Sequence, residues 1–346
     1  MPERDDRCPA WALVRTHIEW RFAIIHRHTH VLSVPSLTVV KPIPYNNGME
    51  NVRLNYFFLW NFLLLVTGCG SSVAVWTDGE VPFVRSTPQV IDRMLELAQV
   101  RKDDVLYDIG SGDGAIVIRA AKKYGVRGIG IEIDDGLVAK ARANAFQEKV
   151  QDLVEFRAAD AFTVDVSPAT VVTLYMLPDF NAKLRPILDR QLKPGTRVVS
   201  HDFDMGEWKP DQHREIAVPN KSYGPPLSQI YLWYVPANVA GTWRWQLTFG
   251  GEAHAYEANI DQRFQALDAV ILVDGGSAML QNLSLRGELV DFTLVREMYG
   301  RRISHEFSGR IEGDSASGRA RITEGNENTT QEWRATRIAR GRMRTE

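Results

Sequence analysis

The stretch Asp108-Ile109-Gly110-Ser111-Gly112-Asp113-Gly114 sets a carboxylate just ahead of three alternating glycines, a combination suited to holding a bulky ligand against the main chain. Glycine lets the backbone approach closely, and a turn that opens a helix offers free N–H donors. Glu132, twenty positions after Gly112, supplies an acid able to accept hydrogen bonds from both hydroxyls of a ribose. These features suit a dinucleotide or another adenosyl ligand, and Gly110, Gly112 and Ala115 satisfy the loose form of the dinucleotide fingerprint. Asp108 disfavours a pyrophosphate, because a carboxylate in that turn repels it and suits a cationic aminoacyl group. Downstream, Asp160 is placed to accept from an adenine amino group, with Ala161 and Phe162 beside it; a helix N-cap is the other use of that residue. Thr173, Tyr175, His201 and Asp202 are further side chains available at the strand ends, where Asp202 or His201 is placed to deprotonate or orient a nucleophile, should it arrive protonated, and Tyr175 to line its path. As bland alternatives, His201 is a satisfied loop histidine and Asp202 a turn residue.

Those residues need strands that end together. From Val81 to about Pro210, strand-like runs alternate with helical ones, the pattern of a parallel sheet with crossover helices. Thr87-Pro88 opens a helix carrying an apolar stripe at Val90, Ile91, Met94 and Leu95. Strands are expected at Asp104–Ile109, Gly128–Ile133 and from Val154, with helices at Ala115–Lys123 and Gly136–Lys149. An open α/β sheet binds ligands at the carboxyl ends of its strands, where all the residues above fall.

This constellation resembles the class I S-adenosylmethionine-dependent methyltransferases over roughly residues 81–236. The resemblance implies a Rossmann-like fold and S-adenosylmethionine as cofactor, bound by Asp108, Gly110, Ser111, Gly112, Asp113, Gly114, Glu132, Asp160 and Ala161. The segments Ser86-Thr87-Pro88-Gln89-Val90, Tyr107 to Gly114, Thr173 to Pro178 and Ser200-His201-Asp202-Phe203 look like a narrower group that includes the ATP-synthase c-subunit-type protein-lysine methyltransferases. That group implies N-methylation of a protein lysine, in a membrane protein or elsewhere; a small-molecule acceptor is the alternative. Ala115 stands where such proteins often carry Arg, and no Asn-Pro-Pro-Tyr-type motif follows the fourth strand. Methylation of nucleobases or of Gln and Asn side chains is disfavoured accordingly. No metal is implied.

After Pro236 the periodicity changes. Eight short alternating runs between Trp243 and Ile338, separated by turns such as Gly250-Gly251 and Asp274-Gly275-Gly276, predict an antiparallel β domain over 241–340, a small barrel or sandwich. Trp243 in its first strand and Arg337 in its last are similar to the Trp–Arg closure of a lipocalin-like barrel. The arginines at 337, 340, 342 and 344 read as a solvated end.

At the other end, the apolar run Tyr56–Val66 is too short for a confident span and fits a signal-peptide core. Val66-Thr67-Gly68-Cys69 resembles the bacterial lipoprotein cleavage motif, which implies a lipid anchor at Cys69, membrane association through 54–69 and a place in the cell envelope. An uncleaved anchor with the enzyme facing the cytoplasm is the alternative. A binding module derived from a methyltransferase and carried by an envelope lipoprotein is the non-enzymatic one. Residues 1–48 are expected to be an upstream extension of the gene, disordered, with the His26, His28, His30 cluster incidental. The 346-residue chain balances 41 Lys+Arg against 43 Asp+Glu, so no global field recruits nucleic acid, and two cysteines exclude a disulfide framework.

Overall fold

A computed structural model describes residues 83–345 apart from 220, 222, 223 and 299. The expectations for 1–48, for the leader and for Cys69 lie outside the described residues. Those residues belong to one compact unit.

The first half is a seven-stranded sheet. Helix α1 (Pro88–Leu97) leads, with the Thr87 hydroxyl accepting from the Val90 amide as its N-cap and Pro88 in its first turn. Then follow β1 (Val105–Ile109), α2 (Ala115–Tyr124), β2 (Arg127–Glu132), α3 (Asp135–Gln147), β3 (Val154–Ala158), β4 (Val171–Leu174), α4 (Pro178–Gln191), β5 (Arg197–His201), β6 (Gln212–Ala217) and β7 (Leu227–Tyr234). The order is β3-β2-β1-β4-β5-β7-β6, parallel through the first five and antiparallel at β7 and β6. The chain leaves β1 toward β2 on one side and later fills β4 on the other, so the crevice between the ends of β1 and β4 is a topological switch point. One face of the sheet buries Met94 and Leu95 of α1 with Val117 and Ala121 of α2. The opposite face packs Leu184 and Leu188 of α4 with Trp208 and Trp233.

The second half is a nine-stranded antiparallel meander: β8 (Gly241–Phe249), β9 (Glu252–Arg263), β10 (Ala266–Val273), the two-residue β11 (Gly276–Ser277), β12 (Met279–Arg286), β13 (Leu289–Met298), β14 (Arg301–Glu312), β15 (Ser315–Glu324) and β16 (Glu327–Arg340). β16 returns to pair with β8, leaving an almost closed barrel with one seam between β10–β11 and β12. The strands run longer than their apolar alternation suggests because two-residue turns join them, with glycines at positive φ such as Gly250, Gly313 and Gly325. An aromatic cluster of Trp245, Tyr256, Phe292, Phe307 and Trp333 fills the interior, leaving a cavity of about 40 Å³.

The arginine-rich end requires a correction. The Arg337 side chain is 5% exposed, its guanidinium 5.0 Å over the Trp243 ring and donating to Asp314 and to the carbonyls of Asn238 and Gly313. It is a closing contact of the barrel, while Arg340 keeps a solvated ion pair with Asp314. Phe264, at the turn between β9 and β10, leaves the barrel to stack on Trp208 with Arg185 above its ring, so the two halves share a core.

Candidate active site

Asp108 is the penultimate residue of β1 and is 2% exposed. The Thr173 hydroxyl of neighbouring β4 donates to it at 2.7 Å. Among the described residues no cation pairs with it, so burial pushes its carboxyl up to about 7, opposed by the Thr173 bond and reinforced by the charge of Glu132. A buried carboxylate without a counter-charge at a strand end is a place for a cationic group of a ligand.

The turn that follows is shaped by its glycines. Gly110, Gly112 and Gly114 all take positive φ, which side chains with a Cβ adopt rarely. A Cβ on Gly110 would collide with Met176 and one on Gly112 with the Phe83 ring. The turn is tied to the end of β2: Glu132 accepts from the Gly112 amide at 2.8 Å with one oxygen and from Ile133 and Asp134 with the other. These three bonds fix a half-buried carboxylate and leave about one of its four lone-pair sites, on Oε2, open to a ligand hydroxyl. The Ser111 hydroxyl is buried and has no partner among the described residues, an unused polar group on the turn itself. Asp113 faces other duties, since Arg85 and Lys140 hold its carboxylate and its carbonyl accepts from Asn144. Asp160 is exposed and accepts from the Phe162 amide; it caps a turn, because no helix begins there. Ala161 is half-buried beside it, and Phe162 stacks on Phe180. The buried carboxyl of Asp108, the buried Ser111 hydroxyl and the anchored Glu132 carboxylate together fit S-adenosylmethionine.

A second cluster lies at the ends of β4 and β5. The Tyr175 ring sits 3.9 Å from that of His201, and its hydroxyl donates to Asp202 Oδ2 at 3.3 Å. Asp202 adopts φ +62°, a left-handed conformation held by its amide on the Gln229 carbonyl and by the Gln229 amide on Oδ1. Lys221 Nζ donates to Oδ2 at 2.6 Å. His201 is 2% exposed, with Nδ1 on Ser86 Oγ at 2.8 Å and Nε2 on Ser228 Oγ at 2.9 Å. Burial pulls its pKa down to about 4, with Asp202 opposing and Lys221 adding to the effect, so the ring is neutral. Both nitrogens are engaged, and the ring lies against that of Tyr175. Met176, next to Tyr175, closes over Gly110 and so joins the two clusters.

Sequence reasoning missed Phe83, Arg85, Lys221 and Ser228. Their neighbours in the chain carry no signal of the role; the antiparallel pairing of β5 with β7 is what brings Ser228 to His201, and Lys221 reaches Asp202 from the connection between β6 and β7.

A doubly wound sheet, a glycine turn at the switch point and an uncompensated anion beside it define an S-adenosylmethionine-dependent methyltransferase. The ANTKMT methyltransferase domain family matches residues 108–212. A protein-lysine N-methyltransferase of Saccharolobus islandicus is 40% identical over 156 residues, 45% of this chain and 94% of that protein. The lysine N-methyltransferase of the human ATP synthase c-subunit is 33% identical over 163 residues, 44% of this chain and 69% of that protein. A crystal structure described as an RNA methyltransferase from Salinibacter ruber with S-adenosyl-L-homocysteine is 58% identical, covers 44% of this chain and 93% of that one, and superposes with a TM-score of 0.40. The chain belongs to the protein-lysine N-methyltransferase family.

Proposed function

We propose that the chain N-methylates a lysine side chain of a protein, with Asp202 receiving the proton that the acceptor ammonium must shed. The observation that carries this reading is an ammonium group already seated on Asp202 Oδ2, the oxygen that also accepts from Tyr175, whose neighbour Met176 closes over Gly110 of the glycine turn. Bound there, S-adenosylmethionine supplies a methyl group activated by a sulfonium. Asp108 holds the cationic aminoacyl end, Glu132 the ribose and Asp160 the adenine amino group. Displacement at that carbon needs alignment and an amine lone pair, so the protein contributes orientation and one proton acceptor. Tyr175 orients Asp202 and walls the amine path, and His201, neutral and doubly bonded, positions Tyr175.

Membrane attachment through residues 54–69, with Cys69 acylated or the leader retained as an anchor, belongs to the same proposal and is supported by the sequence pattern alone. Among the described residues no helix is long and apolar enough to cross a membrane. Mass spectrometry of the membrane-extracted N-terminus tests it, and an absence of the chain from membranes would refute it.

The acceptor is tested by incubating the full chain and S-adenosylmethionine carrying a labelled methyl group with a membrane-protein extract and, separately, with bulk RNA. Methyllysine in digested protein, lost in Asp202→Asn, is the expected outcome. Label in RNA, in small molecules only, or nowhere would overturn the lysine reading.

A further inference from the structure

Lys221 is seated on Asp202, the carboxylate on which the proposed function places the acceptor lysine. Its Nζ lies 2.6 Å from Asp202 Oδ2 and donates to the Leu227 carbonyl at 2.7 Å, and the same Oδ2 accepts from Tyr175. Its side chain is only 9% exposed, whereas Lys122, Lys123 and Lys140, which also form ion pairs, are 41–64% exposed. Drawing an ammonium this far out of water is costly unless it is paired, and immobilising four rotatable bonds adds to the cost. The site accepts that cost for a lysine of its own chain, in contact with the one carboxylate to which the proposed function gives the acceptor's proton.

We propose that Lys221 is itself a methylation site, modified in cis by this active site. The inference rests on the lysine N-methyltransferase reading. In the step, Asp202 Oδ2 takes a proton from the Lys221 ammonium, and the Nζ lone pair forms a bond to the donor's methyl carbon as the carbon–sulfur bond breaks. The electron pair of that bond stays on sulfur, and S-adenosylhomocysteine leaves. Each methyl group added replaces one N–H while the positive charge remains. A monomethylated Lys221 keeps two donors, enough for both Asp202 and the Leu227 carbonyl; a trimethylated one keeps none. Progressive methylation therefore loosens Lys221 from Asp202 and opens the site to an external lysine.

The test incubates the full chain with S-adenosylmethionine carrying a deuterated methyl group, over a hundredfold range of protein concentration, and maps the label by peptide mass spectrometry. The expected result is label on Lys221 appearing at the same rate per molecule at every dilution, absent in Lys221→Arg. In a mixture of Lys221→Arg and Asp202→Asn chains, Lys221 of the latter stays unlabelled, because the reaction is intramolecular. Methylation of an added lysine-rich peptide with none on Lys221, or label on Lys221 whose rate rises with protein concentration, would overturn the proposal and leave the proposed function intact. Cofactor binding without methylation of any lysine would overturn the function itself. The wild-type mapping does not depend on any variant folding.

Discussion

Replacing Asp108 by Asn separates what the site costs the fold from what it gives the cofactor. Burial lifts the Asp108 carboxyl from its ordinary 3.8 to about 7. At about 1.36 kcal/mol per tenfold, keeping that group ionised in the folded protein costs on the order of 4 kcal/mol above pH 7. The sign follows from linkage: the folded state binds the proton more tightly than the unfolded one, so stability is greatest at low pH and falls as pH rises from about 4 to 7. Asn keeps an acceptor for the Thr173 hydroxyl but brings a buried NH2 whose donors cost about 1–3 kcal/mol if unmet. Asp108→Asn is therefore expected to stabilise the unliganded chain at pH 8 by about 1–3 kcal/mol, a rise in Tm of about 2–10 °C. At pH 5, where the wild-type carboxyl is already neutral, the gain vanishes or reverses. Thermal melts at the two pH values read the difference directly, and calorimetry with S-adenosylmethionine should show affinity lost in the same variant. A variant less stable than wild type at pH 8, or equally shifted at both pH values, would refute the assignment of Asp108 as an uncompensated buried anion.

Glu132→Ala removes charge-assisted acceptors worth about 1.5–3 kcal/mol each, so S-adenosylmethionine binding by calorimetry should weaken by about tenfold or more. Tyr175→Phe deletes one hydrogen bond to Asp202 and should lower kcat by about three- to tenfold with little change in cofactor affinity. Burial pulls His305 in the barrel down to about 4, helped by Arg296 and His254; its neutral form is favoured by folding, so this contribution is present above pH 6.5 and is lost as pH falls toward 4. His305→Gln should accordingly flatten the acid limb of the urea stability profile. Arg337→Ala opens the Trp243 closure and leaves Asp314 with only Arg340, and is expected to destabilise the barrel by about 1–3 kcal/mol in urea melts.

The α/β sheet was legible because β1 to β3 are short apolar runs bounded by turns and because Gly110, Gly112 and Gly114 announce the switch point. β6 was not: as an edge strand it spends Gln212, His213, Arg214 and Glu215 on solvent and partners, so no alternation marks it. α4 escaped for a related reason, since Pro186 interrupts its pattern and only Asn181, Leu184 and Leu188 are buried. Asp108, Glu132, Tyr175, His201 and Asp202 could be placed together because strand ends converge in this fold. Whether His201 was charged could not be read from sequence, because its neutrality depends on Ser86 before α1 and Ser228 in β7 enclosing it. Arg85 on Asp113 and Lys221 on Asp202 are likewise long-range pairs, fixed by the pairing of elements rather than by local pattern. The barrel's alternation was visible along the chain, while the burial of Arg337 required β16 to come back beside β8.

The most direct test of the central claim compares wild type with Asp202→Asn, each saturated with S-adenosylmethionine, on one protein acceptor whose products are mapped to residues by mass spectrometry. The account predicts methyllysine from wild type and a rate lower by about 10²-fold or more in the variant, with cofactor affinity unchanged. Equal rates in the two proteins, or methyl groups found on RNA and on no lysine, would contradict it.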